Sequence, residues 1–204
     1  MMSAPRRTRI QRRNREAILE AALDVFSAQG FRGATLDEIA ARAGLSKPNL
    51  LYYFPSKAEI HRALLTALLE TWLAPLRALD PDGEPIGEIL AYVRRKLEMS
   101  RTLPRESRLF ANEIVQGAPR LHDVLEGELR ALVDDKAAVI RGWAAEGRIA
   151  PLPPHHLIFS IWALTQHYAD FDAQIRAVLG PDVADPCAEA GPFLETLFTR
   201  LLTP

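Results

Sequence analysis

Cysteine is nearly absent from this sequence: Cys187 is the only one among 204 residues, so no disulfide bond can form within the chain. This composition suits a reducing cytosol rather than a secreted protein stabilised by disulfides. A lone cysteine is more often a small buried hydrophobe than a redox sensor, and we interpret Cys187 in that way.

Long hydrophobic runs are absent as well. The most apolar stretch, LIFSIWAL at residues 157–164, is far too short to cross a bilayer. The basic N-terminus is not followed by an apolar segment, so we expect no secretory signal. We therefore expect a cytoplasmic protein that makes no membrane contact.

Signals of catalytic chemistry are also lacking. The chain shows no carboxylate cluster, no phosphate-binding loop and no set of cysteines and histidines at metal-ligand spacing. His155 and His156 are adjacent at a predicted helix start, which is poor ligand geometry, and we interpret them as capping or surface residues. We expect neither an enzyme nor a bound metal or cofactor.

The charge of the chain is unevenly distributed. The hydrophobic content of 48% and the charged content of 25% are ordinary for a globular protein with a sizeable core. The net charge of −1 divides into +4 over residues 1–60 and −5 over the remainder. Six arginines precede the first acidic residue: Arg6, Arg7, Arg9, Arg12, Arg13 and Arg15. A basic arm on an acidic body is typical of nucleic-acid-binding proteins, although a solvated disordered tail has the same composition.

Apolar periodicity predicts helices throughout and no strand, so the fold class is all-α. A first helix at 15–29 has an apolar face and a stop signal at Gly30; the face is formed by Ile18, Ala22, Val25 and Phe26. The segments TLDE at 35–38 and SKAE at 56–59 are capping boxes, and Ser46 is a further N-cap. A linker at 80–85 is followed by predicted helices at 86–101, 104–116, 120–146, 155–179 and over the last residues up to Leu202.

The short helices within residues 15–54 are arranged as a helix-turn-helix, with a tight turn at Gly44. On the helix that follows Ser46, the spacing directs Leu50, Leu51 and Phe54 inward. The outer face then carries Pro48, Asn49, Tyr52 and Tyr53. Tyrosine hydroxyls and an asparagine amide bond phosphates and base edges, and nearby lysines add positive charge. This pattern predicts a DNA-binding face; a helical core that binds no DNA is the alternative.

The segment TLDEIAARAGLSKPNLLYYFPSK, residues 35–57, resembles the N-terminal signature of the TetR family of transcriptional regulators. The resemblance implies a DNA-binding helix-turn-helix domain with a basic arm over 1–56, and a helical effector-binding and dimerisation domain over 57–204. It implies a homodimer on a palindromic double-stranded operator. Pro48 stands where many members have glycine. The implied DNA contacts are Arg12, Arg13, Thr35, Ser46, Lys47, Asn49, Tyr52, Tyr53 and Lys57.

The predicted helix at 155–179 carries two apolar stripes. One stripe has the alternating spacing of a helix-packing seam; its members are Leu157, Ile161, Leu164, Tyr168, Phe171, Ile175 and Val178. The second stripe comprises Ile158, Trp162, Thr165, Gln166 and Ala169. In proteins that resemble the TetR family the last two helices pair with their copies, which implies a dimer interface within 155–202. The alternative is that both stripes belong to the core of one chain.

Trp162 and Gln166 lie one helical turn apart, and an indole beside a primary amide suits a flat heterocycle. Trp72 and the polar residues of SRLFANEI at 107–114 are candidates for the same pocket; those polar residues are Arg108, Asn112 and Glu113. The competing interpretation is that Arg108 and Glu113 are surface charges and that Gln166 is an interface hydrogen bond.

Several segments in order, among them TWLAPL, SRLF, GAP and HLIFSIWALTQHYADF, resemble the pyrimidine-utilisation regulators of this family. The resemblance implies uracil or thymine as effector. A uracil edge also complements the donor and acceptor of Gln166. Binding beside Trp72 would shift the helix at 57–74 and weaken DNA binding. Another aromatic or hydrophobic ligand is the main alternative. A further alternative function is that of a helical adaptor whose arginine arm binds acidic proteins.

Overall fold

The computed structural model describes residues 6–204, with side chains from residue 9 onward. Residues 1–5 of the predicted basic arm and the side chains of Arg6 and Arg7 lie outside the described part. Residues 6–204 contain helices and no strand, which confirms the all-α prediction. The helices are α1 (Arg6–Gly33), α2 (Leu36–Arg42), α3 (Lys47–Tyr53), α4 (Lys57–Arg77), α5 (Pro85–Thr102), α6 (Pro104–Val115), α7 (His122–Val124), α8 (Arg130–Ala145), α9 (Pro154–Asp170), α10 (Asp172–Leu179) and α11 (Ala190–Leu202), with a π-helical turn at Leu125–Leu129.

The chain forms two compact units. The first comprises the chain up to Leu68 together with Arg108–Leu121, and the second comprises Leu69–Ser107 together with His122–Pro204. Helices α4 and α6 therefore each begin in one unit and end in the other. This division is based on contacts between residues. The predicted boundary between a DNA-binding domain at 1–56 and an effector-binding domain at 57–204 is based on function and stays a prediction.

The first unit is built on the predicted apolar face of α1. Ile18, Ala22, Val25 and Phe26 are all fully buried, as the spacing predicted. The predicted helix start at residue 15 is wrong, because α1 begins at Arg6. Arginine has a high helix propensity, which favours helix at the start of α1. This charged stretch has no apolar face, so the sequence showed no helical periodicity there. The stop at Gly30 is confirmed, since its φ of 69° interrupts the helix.

Helices α2 and α3 form the predicted helix-turn-helix. Thr35 caps α2 by accepting from the backbone N–H of Glu38 at 3.2 Å. Gly44 has a φ of 67° in the turn, a left-handed conformation that glycine adopts without strain. Ser46 then caps α3 by accepting from the backbone N–H of Asn49 at 3.4 Å. These caps fix where α3 starts and so which residues it exposes.

The inner face of α3 is narrower than predicted. Leu50 and Phe54 are buried, as expected. Leu51 is 37% exposed, so its predicted inward direction is wrong. Adjacent residues on a helix point about 100° apart, and a seven-residue helix that packs along one line buries only one of two neighbouring leucines.

The core of the second unit is formed by α5, α8, α9 and α11, with α5 packed against both α9 and α11. Trp143 of α8 donates its indole N–H to the carbonyl of Pro81 at 3.0 Å, which fixes the predicted linker onto this core. Arg94 of α5 binds Glu195 of α11 through two hydrogen bonds of 2.6 and 3.1 Å. Helices α5 and α9 therefore face each other within a packed unit.

Two predicted helices depart from a regular α-helix: one contains a π-helical turn and the other is divided. The predicted helix at 120–146 consists of α7, the π-helical turn and α8. The predicted helix at 155–179 ends at Asp170, and Phe171 has a non-helical ψ of 26° before α10 begins. The first stripe is only partly buried: Leu157 and Ile161 are buried, whereas Leu164 before the break is 36% exposed, and Phe171 and Val178 after it are 53% and 78% exposed.

Candidate functional site

The outer face of α3 is exposed and polar. Asn49 and Lys47 are exposed, and Tyr52 has 69% of its surface exposed. The Lys47 ammonium lies 2.9 Å from the Asp37 carboxylate, and both groups are solvent-exposed. Such an exposed pair contributes little to stability, so Lys47 remains available to a phosphate. The outer face of α3 therefore presents polar and charged groups to solvent.

The two tyrosines on this face are held from α1. Gln11 Nε2 donates to Tyr52 Oη at 3.4 Å, and Asn14 Nδ2 donates to Tyr53 Oη at 3.0 Å. The tyrosine rings meet edge to face, with centroids 5.2 Å apart. Sequence reasoning missed Gln11 and Asn14, because they lie in a stretch that was interpreted as a basic arm.

The remaining predicted DNA contacts surround this surface. Arg12 and Arg13 are exposed on α1, and Arg12 lies 3.5 Å from Glu16. Thr35 and Ser46 are exposed, and each hydroxyl accepts a backbone N–H as a helix cap. Both hydroxyls keep a proton for a phosphate oxygen while they cap. Their assignment as DNA contacts stays a prediction.

Lys57 differs from the other predicted contacts. Its ammonium donates to the carbonyl oxygen of Ala34 at 2.6 Å and lies 4.6 Å from the centre of the Phe31 ring. The charge is therefore already satisfied within the first unit. A phosphate contact by Lys57 would have to share or replace the bond to Ala34.

Glu113 is at the centre of a buried cluster in the first unit. Its side chain is 2% exposed and accepts two hydrogen bonds from Arg120, 2.8 Å from the backbone N–H and 3.0 Å from the guanidinium. The Arg120 guanidinium lies 3.6 Å from the centre of the Phe31 ring. The interpretation of Glu113 as a surface charge is therefore wrong. The cluster fixes the turn after α6 onto α1.

His61 of α4 completes this cluster. Its ring lies edge-on to Phe26 and Phe31, with centroids 4.7 and 5.0 Å away. Burial, with the positive charges of Arg120 and Lys57, lowers the pKa of His61 to about 4. The imidazole is therefore neutral at pH 7, and its approach to Glu113 at 3.9 Å is not an ion pair.

The second unit contains the other half of the predicted effector residues. Trp162 donates its indole N–H to Tyr92 Oη at 2.6 Å, and Gln166 is half-buried one turn further along α9. Trp72 is 4% exposed, and its indole N–H has no hydrogen-bond partner among residues 6–204. A buried donor without a partner costs about 1–3 kcal/mol, so Trp72 is suited to a ligand acceptor.

Lys96 of α5 is a buried cation beside Trp72. Its side chain is almost fully enclosed, and its ammonium lies 5.0 Å from the centre of the Trp72 ring. Burial lowers the pKa of Lys96 to about 7, and the negative charge of Asp170 opposes this shift. Asp170 also accepts a hydrogen bond of 2.6 Å from the Ser107 hydroxyl.

The register of α5 and α9 relates these residues to Gln166. Tyr92 and Lys96 are one turn apart on α5, and Trp162, Gln166 and Asp170 follow at one-turn intervals on α9. Tyr92 bonds Trp162, and Lys96 interacts electrostatically with Asp170. Along α9, Gln166 therefore lies one turn from Trp162, which bonds α5, and one turn from Asp170, whose charge acts on Lys96 of α5.

The side chains of these residues include both hydrogen-bond donors and hydrogen-bond acceptors. Tyr92 accepts from Trp162, which leaves its own proton for a carbonyl, and burial raises its pKa so that it stays protonated. Gln166 offers one donor group and one acceptor group. Sequence reasoning missed Tyr92, Lys96 and Asp170; the signal was a lysine within an apolar helix face.

The predicted pocket residues do not all fall in one unit. Trp72, Trp162 and Gln166 belong to the second unit, whereas Arg108, Asn112 and Glu113 belong to the first. Arg108 is half-buried and Asn112 is exposed. Glu113 is engaged by Arg120, as described above. The roles of these three residues toward an effector stay predictions.

No helix within residues 6–204 is both long and apolar enough to cross a membrane. Besides Val115 on α6 and a few others, eight exposed large apolar side chains lie on α9, α10 and α11 or at the break between α9 and α10. They are Phe159, Leu164, Phe171, Val178, Leu179, Phe193, Leu197 and Leu201. An apolar surface of this kind on consecutive helices is typical of a protein interface.

Comparison with known sequence families covers nearly the whole chain. Residues 18–64 match the family described as "Bacterial regulatory proteins, tetR family". Residues 65–203 match the family described as "YcdC-like protein, C-terminal region". The boundary between the two matches falls within α4.

Individual relatives agree with these families. The chain is 52% identical over 180 residues to the HTH-type transcriptional regulator RutR of Escherichia coli strain K12, covering 88% of this chain and 85% of RutR. Its fold is similar to the ketosteroid transcriptional regulator KstR2 of Mycobacterium tuberculosis, with a TM-score of 0.75, 20% identity and coverage of 93% and 95% of the two chains. It is also similar to AibR, solved with isovaleryl coenzyme A and operator DNA, with a TM-score of 0.68, 16% identity and coverage of 90% and 97%.

Proposed function

The chain belongs to the TetR family of helix-turn-helix transcriptional regulators, and from this premise we propose that it is a cytoplasmic repressor that senses uracil or thymine and controls pyrimidine-utilisation genes. The 52% identity to RutR supports this assignment. The observation that carries the choice of effector is the position of Gln166, between the Tyr92–Trp162 bond and the Lys96–Asp170 interaction.

DNA binding is assigned to the outer face of α3 and the exposed start of α1. Tyr52, Tyr53, Asn49 and Lys47 would contact the major groove and its flanking phosphates. Arg12 and Arg13 add positive charge on the adjacent helix. A homodimer formed through residues 155–202 would present two such faces to a palindromic operator. The exposed apolar side chains of α9, α10 and α11 support that interface.

Effector binding is assigned to the polar cluster between α5 and α9. A uracil ring carries two carbonyls that alternate with N–H groups, so it requires donors and acceptors in turn along one edge. Tyr92, Lys96 and Trp72 supply donors, and Gln166 supplies both an acceptor and a donor. The indoles of Trp72 and Trp162 supply flat apolar surfaces against which such a ring packs.

A second candidate effector is an aromatic carboxylate. Lys96 favours it, because a buried ammonium gains most from a ligand that carries a negative charge. Uracil and thymine are neutral at pH 7, so the two classes differ in how they depend on Lys96. Replacing Lys96 by methionine would reduce the affinity for a carboxylate far more than that for a neutral pyrimidine.

Coupling between effector and operator is assigned to the two helices that run from one unit into the other. Trp72 lies on the part of α4 in the second unit, and His61 lies on the part in the first. Ser107 bonds Asp170 at the start of α6, and Glu113 bonds Arg120 near its end. A shift of either helix on effector binding would alter the DNA-binding unit. A coupling of about 1–3 kcal/mol changes operator affinity from several-fold to about a hundredfold.

The proposed function is tested by selecting the operator from a random DNA pool with the purified protein and then titrating uracil, thymine and adenine into the complex. We expect one palindromic sequence to be enriched, and uracil or thymine to release it while adenine does not. The Gln166→Leu variant should bind the same operator and ignore the pyrimidines. Enrichment of an operator that no pyrimidine releases would contradict the effector, and failure to enrich any sequence would contradict the DNA-binding assignment.

A further inference from the structure

The hydrogen bond between Asn14 and Tyr53 has a direction that matters for DNA binding. Asn14 Nδ2 donates to Tyr53 Oη at 3.0 Å, and both side chains are half-buried. The phenolic oxygen is the acceptor in this bond, so its own proton remains for another partner. DNA phosphates offer only acceptor oxygens. Tyr53 is thus prepared as a donor on the face assigned to the operator.

The surrounding contacts fix the tyrosine ring. Tyr52 meets the Tyr53 ring edge to face at 5.2 Å. The next residue, Phe54, is buried and lies under the Arg15 guanidinium, 4.3 Å from its ring centre. The backbone and the ring are therefore held in place by packing. The Tyr53 O–H can still rotate about the C–O bond. The Asn14 amide, which donates to one side of the oxygen, restricts this rotation.

We propose that Asn14 is a positioning residue for operator recognition: it fixes the Tyr53 hydroxyl so that the O–H is donated to a DNA phosphate. The inference rests on the proposed function, because it requires that Tyr53 faces the operator. It extends that function to a residue of α1 that need not touch DNA. Asn14 would also connect the start of α1 to the recognition helix.

A double-mutant cycle on operator affinity separates this role from simple stabilisation. The variants are Asn14→Leu, Tyr53→Phe and the two combined, measured by fluorescence anisotropy on the selected operator. Each single change should weaken binding roughly three- to tenfold, the range of one neutral hydrogen bond. The combined variant should bind no more weakly than Tyr53→Phe alone, because without the hydroxyl Asn14 has nothing to orient.

Two further variants sharpen the test. Asn14→Asp keeps the size of the side chain but can only accept, so it would capture the Tyr53 proton. Asn14→Asp should therefore weaken operator binding more than Asn14→Leu does. This difference in affinity should be larger with Tyr53 intact than in the Tyr53→Phe background, where only repulsion between the new carboxylate and DNA remains. Gln116→Leu is the control: it removes an exposed side-chain amide from the same unit and should change affinity less than about twofold.

The outcomes distinguish the inference from its premise. If Tyr53→Phe leaves operator affinity unchanged, the DNA face is wrongly assigned and the inference falls with it. If Tyr53→Phe weakens binding but the effects of the two single changes add, Asn14 does not position the hydroxyl and the DNA face stands. A lower melting temperature of Asn14→Leu with unchanged affinity would also overturn the inference. If Asn14→Leu does not fold, Asn14→Ser, whose side chain is too short to reach, replaces it in the cycle.

Discussion

Replacing Lys96 by methionine should stabilise the protein while removing part of its proposed effector site. Methionine has nearly the same length and no charge, so the packing against Trp72 is largely kept. The ammonium of Lys96 is enclosed by the second unit, and burial lowers its pKa from 10.5 to about 7. At about 1.4 kcal/mol per pKa unit, holding a protonated lysine there costs on the order of 5 kcal/mol.

The sign of the pH dependence follows from where the proton is bound. Below pH 7 Lys96 is protonated in both the folded and the unfolded chain, so the full cost of burying the charge destabilises the fold. Between pH 7 and the unfolded pKa of 10.5 the unfolded chain binds more protons, and the free energy of unfolding rises with pH. The advantage of Lys96→Met should therefore be about 4 kcal/mol at pH 7 and about 2 kcal/mol at pH 9.

Urea unfolding of the wild type and of Lys96→Met at both pH values measures this difference, because all other titrating groups are common to the two proteins. Lys47→Met, which removes an exposed ammonium, is the control for deleting a positive charge without deleting a buried one. A variant less stable than the wild type at pH 7 would refute the reasoning, as would an advantage that is equal at pH 7 and pH 9. Either result would mean that Lys96 is well compensated in the folded protein.

Three further perturbations have defined outcomes. Gln166→Leu should abolish the thermal stabilisation by uracil and leave operator affinity within about twofold of the wild-type value. If this variant instead loses the dimer in gel filtration, the Gln166 amide belongs to the subunit interface. Glu113→Gln should lower the free energy of unfolding by about 2 kcal/mol, because it breaks a buried pair with Arg120. The control Glu16→Gln breaks an exposed pair with Arg12 and should change the free energy of unfolding by less than about 0.5 kcal/mol. Equal effects in urea unfolding would contradict the buried cluster. Phe193→Glu should convert the proposed dimer to a monomer in sedimentation velocity, since it places a charge on the apolar surface of α11. A dimer that persists in this variant would contradict an interface on α11.

The helix-turn-helix was predictable because each of its local signals is strong by itself. Thr35 and Ser46 are capping residues followed by apolar positions at helical spacing, and Gly44 marks the turn between them. Each of these signals depends on residues only a few positions apart, so it can be recognised without knowledge of the tertiary structure. The inward assignment of Leu51 failed because a seven-residue helix shows no more than two turns of periodicity.

The division of the predicted helix at 155–179 was not predictable from its apolar pattern. The apolar spacing of α9 continues through Phe171, Ile175 and Val178. The pattern therefore gives no sign of the break after Asp170. Asp170, the last residue of α9, accepts a hydrogen bond from the distant Ser107 hydroxyl of α6. Long-range contacts of this kind leave no periodic signal in the sequence.

Half of the residues in the proposed effector site were predictable from the sequence. Trp162 and Gln166 were identified because an indole and an amide at one-turn spacing are unusual on an apolar helix. Lys96 and Tyr92 were missed because lysine is rarely buried without a charged partner, and tyrosine fits a core or a site equally well. Glu113 was left open between pocket and surface, and the structure shows a third arrangement, a buried pair with Arg120.

A thermal-shift titration with uracil, thymine and adenine tests the central claim most directly. A ligand present at a hundred times its dissociation constant adds about 2.7 kcal/mol to stability. Each kcal/mol raises the melting temperature by roughly 2–4 °C in a protein of this size. We predict a saturable increase of roughly 5–10 °C with uracil or thymine, none with adenine, and none with any of the three in the Gln166→Leu variant. No shift with either pyrimidine at millimolar concentration would contradict the claim that this regulator senses pyrimidines.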